Sequence, residues 1–512
     1  MTNEHPDVGR LMLVGLPDAD LSDENKRVLE AVRPGFLVLF TRNIRDAEQI
    51  GLLLERVAAF LGYAPVAAVD QEGGRVTRLL HGFTVVPDPR AVAEGGGPAA
   101  ALRCGEIIGR EMASIGITWN FAPAVDVLTN RDNPGVGLRS YGEGVEAVVS
   151  HAEAFLRGLR SRGVEGCLKH FPGLGRGAVD PHLDLPTIAA SVEELDEVEL
   201  EPYRRIRARA WMPTHVAVPA YDPSGAPATL SRPILTDLAR GKLGFSGVLV
   251  ADDLMMGGIT NGHSLDEALV ASLAAGMDIL TLCHDPDELI RSFTAFQSRV
   301  AEDDELRRRA AESLRRVDAF IEGISHLGSA DSRAEASSAP GESTVELRAT
   351  SREADRAYVL SLARSAIVAS GPDDPATAEG PLPVPDLILA PSARGYTPAA
   401  EPTDHLPAVA IDLAERLRCR IEPYTATGDV PLDARHLLLF TENAHLSAKM
   451  RAWVARTLAA AARRAVSVTV VALGTPYDAH IPGCEHAIRT HGSSGPQAEA
   501  IPGYLLDRMG RS

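Results

Sequence analysis

The chain reads Gly166-Cys167-Leu168-Lys169-His170-Phe171-Pro172-Gly173-Leu174-Gly175-Arg176-Gly177-Ala178-Val179-Asp180-Pro181-His182. An apolar run, Gly166 to Leu168, closes on Lys169 and His170, as a buried strand does where it meets a polar face. A Gly-rich loop follows, and Asp180 and His182 stand one residue apart beyond it. In extended chain, residues i and i+2 point to the same side. Asp180 can therefore orient and polarise the His182 imidazole, as a carboxylate does for a catalytic histidine.

Seven further apolar runs have the same character: Leu11–Val14, Phe36–Phe40, Val66–Val69, Ile117–Phe121, Trp211–His215, Val248–Ala251 and Asp278–Leu282. Helical stretches such as Asp46–Leu61, Val145–Arg162 and Leu265–Ala275 lie between them. Eight alternating β/α units in this length predict an α/β fold of the TIM (β/α)8 type rather than an open doubly wound sheet. The polar residues fall where barrel chemistry needs them. Asp70, Asn120, Lys169, His170, His215 and Asp252 sit at or just past the C-terminal ends of strands, the face that carries barrel active sites. A barrel catalytic domain is expected over residues 1–325. Ser-Ala-Gly-Glu-rich sequence then predicts a linker over 326–346. Beyond it, Ala366–Ala369, Leu387–Leu389, Leu437–Phe440 and Val466–Val471 read as strands, and Met450–Ala465 as an amphipathic helix. A smaller α/β sandwich domain is expected over 347–512.

The bulk composition excludes several classes. At 512 residues the chain is too long for one ordinary domain. A net charge of −18 argues against a basic surface for nucleic acid. No apolar run is long enough to span a membrane. No charged and then apolar leader is read in Met1–Asp20, so a secretory signal is not expected. Cys104, Cys167, Cys283, Cys419 and Cys484 are scattered and odd in number, which predicts neither disulfides nor a zinc site and favours the cytoplasm.

The segment Lys169–His182 resembles the signature of the bacterial beta-N-acetylglucosaminidases of glycoside hydrolase family 3, Lys-His-Phe-Pro-Gly-His-Gly-x4-Asp-Ser/Thr-His. The second half of the chain resembles the second domain of two-domain family members, around Phe440–Leu446 and Val471–Tyr477. A second anchor is Val250-Ala251-Asp252-Asp253-Leu254-Met255-Met256. The first acid of this motif, Asp252, matches the family nucleophile. A carboxylate there can form a covalent glycosyl-enzyme. The competing reading of Asp252 is a helix cap; Asp253 is the better candidate for a cap or support. The resemblance makes His182 the general acid and then the general base. Its ordinary pKa of about 6.5 suits proton transfer near neutrality, and the Asp180 charge favours the protonated donor.

By the same resemblance, Asp70 and Arg78 bind the non-reducing sugar, Arg139 contacts it, and Lys169 and His170 hold its hydroxyls. The cations supply donors and Asp70 supplies acceptors. Glu72 and Arg75 either add to this set or form a structural ion pair. His215 is expected to line the pocket. Trp119 and Met256 read as core, and Cys167 as buried filler. The implied activity is a retaining exo-beta-N-acetylglucosaminidase of cytoplasmic cell-wall recycling. Its substrate would be a small amino-sugar glycoside, muropeptide-derived GlcNAc-anhydro-MurNAc. It would act as a monomer, with no metal or organic cofactor and no nucleic-acid or membrane partner. Rival readings are a glycoside phosphorylase on the same scaffold, since a neutral His repels phosphate less than a carboxylate would, a silent sugar-binding protein, and a beta-glucosidase. Two positions depart from the family pattern: Leu174 replaces the second His, and Pro181 replaces Ser or Thr inside Asp-x-His. Both bear on substrate range and turnover.

Overall fold

The computed structural model describes residues 7–335, 344–370, 382–391, 405–424, 433–484, 486–492 and 495–511. The eight expected strands are present: β1 (Met12–Gly15), β2 (Phe36–Leu39), β3 (Val66–Val69), β4 (Trp119–Asn120), β5 (Glu165–Gly166 and Leu168–Phe171), β6 (Ala210–Pro213), β7 (Val248–Leu249) and β8 (Leu280–Leu282). They are parallel throughout. Leu13 pairs with Phe36, Phe36 with Val66, Val69 with Asn120, and Asn120 with Gly166. Leu168 then pairs with Trp211, Trp211 with Leu249, Val250 with Ile279, and Thr281 with Leu13. The circuit returns to β1, so the sheet is a closed barrel with no edge strand.

Strands buried on both faces read as near-continuous apolar runs, and these do. Trp119 is fully buried, as expected for core. Its ring meets Phe121 and Phe320 edge-to-face at 4.8 Å and Phe36 at 5.5 Å. Phe320 belongs to the long helix Asp304–Glu335, which packs back onto the barrel. Cys167 is buried in β5 and burial pushes its thiol far up, consistent with filler. Among the described residues no helix is long and apolar enough to cross a membrane.

The second unit is a three-layer sandwich. Its strands are β9 (Val368–Ser370), β10 (Leu387–Pro391), β11 (Arg420–Tyr424), β12 (His436–Glu442), β13 (Ser467–Leu473) and β14 (Ala487–Arg489), in the order β9-β14-β13-β12-β10-β11. All pairs are parallel except β9 with β14. Alternate residues serve opposite faces, the strand period of two. Ile388, Leu438, Phe440 and Val471 meet the helices His405–Leu417 and Pro496–Arg508. Leu387, Leu389, Leu437 and Val470 meet the helix Ala448–Arg463. Two strands escape the sequence reading. Arg420–Tyr424 is the polar edge strand, where Pro423 is tolerated, and Ala487–Arg489 is three residues long. The expected linker over 326–346 falls on the end of the helix Asp304–Glu335, on residues 336–343, outside those described, and on the start of the helix Thr344–Ser365.

The two units are joined by packing. Val359 and Leu362 of the helix Thr344–Ser365 enter the barrel's own core. Buried Asp355 accepts hydrogen bonds from Arg103 (2.7 Å) and Arg110 of the helix Pro89–Ala113. That helix lies against the helix Val145–Arg160, and glycines set the closeness of the contact. A methyl group on Gly158 would strike the Leu102 carbonyl and lie 2.7 Å from the Glu106 nitrogen; one on Gly105 would strike the Phe155 carbonyl. A mid-helix Gly normally costs about 1 kcal/mol against Ala. Here the backbone clash decides the sign, so Gly158→Ala should destabilise by about 1–3 kcal/mol. Urea unfolding checks this, and a gain in stability would refute the packing argument.

Candidate active site

A cavity of about 340 Å³ opens at the C-terminal mouth of the barrel. Asp70, Arg78, Arg139, Lys169, His170, His182 and Asp252 all line it. Thus residues spread over much of the barrel sequence converge on one space. Asp180 stands behind His182 and does not line the cavity.

Asp252 follows β7, where the chain is gripped from both sides. Ala251 N donates to Ile279 O (2.9 Å) and Asp252 N to Pro213 O (3.0 Å). The carboxylate accepts from the Thr214 hydroxyl at 2.8 Å and from Asp253 N at 2.9 Å. Burial pushes its pKa up, but the fields of His215, His170 and His182 and the Thr214 hydrogen bond outweigh it and hold the group at about 2. Burial also keeps His215 toward its neutral form. The Thr214 and Asp253 hydrogen bonds therefore persist as stabilisers of the anion at neutral pH.

His182 is held on a short loop. Its Nδ1–H donates to Asp180 Oδ1 at 2.7 Å, and its backbone N donates to the same oxygen at 3.0 Å. Nε2 remains as the other ring nitrogen, on a side chain 34% exposed. Burial pushes Asp180 up, while hydrogen bonds and charge from His182 carry it below the usual carboxylate range. The loop docks on the turn Gly257–Thr260: Gly258 N donates to Pro181 O (3.0 Å) and Gly257 N to His182 O (3.3 Å). The close approach requires glycine, since a methyl on Gly257 would lie 2.7 Å from Leu183 O.

The polar wall is one connected chain of charges. Asp126 Oδ2 takes Nδ1 of His170 at 2.7 Å, and His170 Nε2 meets Arg139 Nη2 at 3.0 Å. Arg offers only donors, so Nε2 accepts and Nδ1 carries the hydrogen. Arg139 forks onto Glu72 at 2.7 and 2.9 Å. Lys169 bridges Glu72 at 2.6 Å and Asp70 at 2.7 Å. Burial alone would push Glu72 up, but Arg139 and Lys169 hold it well below the carboxylate range. Arg78 lies over Phe40, its guanidinium 6.0 Å from the ring centroid.

Several expectations need correction. Glu72 pairs with Arg139 and Lys169, whereas Arg75 lies 3.9 Å from Asp88. His215 is fully buried and does not line the cavity. Its Nε2 donates to Asp253 O and its Nδ1 meets Thr229 Oγ1, both at 2.8 Å, so it supports the chain at Asp253. Asp253 is not a cap: the next helix starts at Gly257 and its N-cap is Met256. Asp253 lines the cavity, and burial and the charge of Asp252 push it up to about 7 against the Met255 amide. Met256, read as core, also lines the cavity. Sequence reasoning missed Thr214 and gave Asp126 no role. The only signal for Asp126 was a lone acid between Val125 and Val127.

Removing one partner of a buried ion pair leaves uncompensated charge, at a cost of about 3–5 kcal/mol. Glu72→Ala strands both Arg139 and Lys169 and should lower stability by about that amount. Urea titration with an unchanged slope checks it; a loss below about 1 kcal/mol, the range of exposed pairs, would show that the pair is not held as described.

Residues 6–319 match the family described as glycosyl hydrolase family 3 N terminal domain. A Beta-hexosaminidase of Pseudomonas aeruginosa (strain LESB58) is 37% identical over 270 residues, 52% of this chain and 80% of that protein. The structure of a glycoside hydrolase family 3 beta-N-acetylglucosaminidase from Paenibacillus sp. str. FPU-7 superposes with a TM-score of 0.83 at 26% identity, covering 100% of this chain and 97% of that one. A Beta-N-acetylhexosaminidase structure from Beutenbergia cavernae DSM 12333 is 30% identical with a TM-score of 0.57, covering 61% of this chain and 97% of that one. A closed barrel with its polar residues gathered at the mouth, and a family match over the whole of that barrel, place this chain in glycosyl hydrolase family 3.

Proposed function

We propose that the chain is a retaining exo-beta-N-acetylglucosaminidase that releases terminal beta-linked GlcNAc. The observation that carries the reading is the shared cavity: Asp252, His182, Asp70, Arg78, Arg139, Lys169 and His170 all face one space. At about 340 Å³ it falls at the small end of ligand pockets and suits a single sugar ring. In the proposed reaction Asp252 attacks the anomeric carbon as the bond to the leaving oxygen breaks, and His182 Nε2 gives that oxygen its proton. Water then attacks the same carbon, His182 takes the water's proton, and Asp252 is released. Asp180, ionised behind Nδ1, stabilises the imidazolium that donates.

Asp70, Arg78, Arg139, Lys169 and His170 would bind the sugar hydroxyls and N-acetyl group. The proposal extends to a muropeptide fragment as substrate, to action in the cytoplasm as a monomer without a cofactor, and to a domain division of 1–325, 326–346 and 347–512.

The test is release of p-nitrophenol from p-nitrophenyl N-acetyl-beta-glucosaminide by wild type, His182→Ala and Asp252→Ala, each with and without phosphate. Expected are free N-acetylglucosamine independent of phosphate, and losses of about 10²–10⁴-fold in His182→Ala, the range for one general acid–base group. Asp252→Ala should be inactive. A phosphate-dependent sugar 1-phosphate would replace the hydrolase with a phosphorylase, and an active Asp252→Ala would overturn the mechanism.

Thr214 gives a pH test. Its hydrogen bond favours the charged form of Asp252, so removing it raises the Asp252 pKa. A hydrogen bond to a charged group is worth about 1.5–3 kcal/mol, or about one to two pH units. In Thr214→Val the acidic limb of kcat/KM should move up by about that much while the alkaline limb stays. A stationary acidic limb would remove Thr214 from the tuning of Asp252.

A further inference from the structure

The second domain meets the barrel beside the catalytic loops, and the contact is specific. Tyr477 lies on the short helix Pro476–His480, just past β13. It is 7% exposed, and its hydroxyl donates to Glu143 Oε1 of the barrel at 2.7 Å. Glu143 Oε2 accepts from Arg131 at 2.9 and 3.2 Å. The Arg131 guanidinium in turn sits 5.3 Å over the Tyr477 ring centroid. Three groups thus close a triangle across the domain boundary.

Arg131 and Glu143 bracket the segment 130–143, and that segment holds the catalytic loops. Asn130 Nδ2 donates to Gly177 O (3.0 Å) and Asn133 Nδ2 to Leu174 O (2.7 Å), anchoring the loop that leads to Asp180 and His182. Asn133 Oδ1 accepts from Gly135 N (3.0 Å) and Val136 N (2.8 Å), and Gly135 O accepts from Arg139 Nη1 (3.0 Å). The same segment therefore fixes both the cavity arginine and the loop bearing the histidine.

The second-domain side of this contact is stiff. Asp478, next to Tyr477, is fully buried and takes three donors: Ala444 N (3.0 Å), His445 N (2.9 Å) and His445 Nδ1 (2.8 Å). The His445 ring meets the Tyr477 ring edge-to-face at 5.4 Å. Asp478, His445 and Thr475 have the residue types of a nucleophilic triad, but Thr475 Oγ1 is 3.4 Å from Nε2 and 3.5 Å from Nδ1. A hydroxyl equidistant from both nitrogens is aligned with neither, so the cluster is a support and not a second active site.

We infer that Tyr477 is a positioning residue for the barrel's reaction: through Glu143 and Arg131 the second domain holds the segment 130–143, and with it Arg139 and the His182 loop. This rests on the proposed function for its kinetic readout only. Tyr477→Phe removes the hydroxyl and keeps the ring. In the full chain, the expected result is a KM for p-nitrophenyl N-acetyl-beta-glucosaminide raised about five- to tenfold, the scale of one charge-assisted hydrogen bond. The melting temperature should stay unchanged, and amide hydrogen exchange should quicken in 130–143 and 174–182. Glu143→Gln should act in the same direction, and the double variant should be no worse than the worse single one. Unchanged KM and exchange in both variants would overturn the inference. So would a fall in melting temperature with exchange raised throughout. If the wild type hydrolyses nothing, the functional proposal fails, while the exchange measurement still decides the brace.

Discussion

One buried carboxylate organises the mouth of the barrel. Glu72 arrives on a hairpin after β3, and the two cations it binds come from elsewhere: Arg139 from the loop after β4, Lys169 from β5. None of the three would be tolerated alone in this setting, since an unpaired buried charge costs several kcal/mol. Together they fix three segments and extend outward to Asp70 on one side and to His170 and Asp126 on the other. Counted formally, the chain has three carboxylates, Asp126, Glu72 and Asp70, against two cations, Arg139 and Lys169. With Asp252 and Arg78, which both line the cavity, the count becomes four carboxylates against three cations.

Asp252 and Asp253 are neighbours in sequence with opposite environments. Asp252 has a hydroxyl and an amide aimed at its oxygens and stays low; Asp253 is pushed up by burial and by the charge beside it. Two adjacent carboxyls held apart in this way give one permanent anion and one group poised near neutrality. The division of labour also follows the fold. Asp252 follows a strand, on chain held by backbone bonds to both neighbouring segments, whereas His182 is on a loop that reaches its place by docking on Gly257 and Gly258.

The strands and the strand-end residues were legible because both depend on local sequence: an apolar run and the polar residue that ends it. The family motif located the Asp180–His182 pair for the same reason. Pairings across the barrel were not legible. Glu72 lies 67 residues from Arg139, and Asp70 lies 99 from Lys169, so no local pattern distinguishes Arg75 from Arg139 as the partner of Glu72. His215 sits at a strand end like the cavity residues, but its ring is spent on Thr229 and on the Asp253 carbonyl. The side chain's destination depends on what the facing segments offer, which the position alone does not reveal.

The two departures from the family pattern are intelligible in these terms. Leu174 is buried, and the contacts that matter there are made by its backbone: N donates to Asp126 Oδ1 at 2.7 Å, and O accepts from Asn133. An apolar side chain at this position leaves both intact. Pro181 is the second residue of a turn in which Leu183 N donates to Asp180 O at 3.0 Å. Proline is favoured at that position because its fixed φ matches the turn. It has no N–H, and the turn asks for none there; its carbonyl is used by Gly258. By narrowing the conformations of the free loop, Pro181 lowers the entropy cost of holding His182 against Asp180. The substitution therefore favours a dyad assembled before substrate arrives.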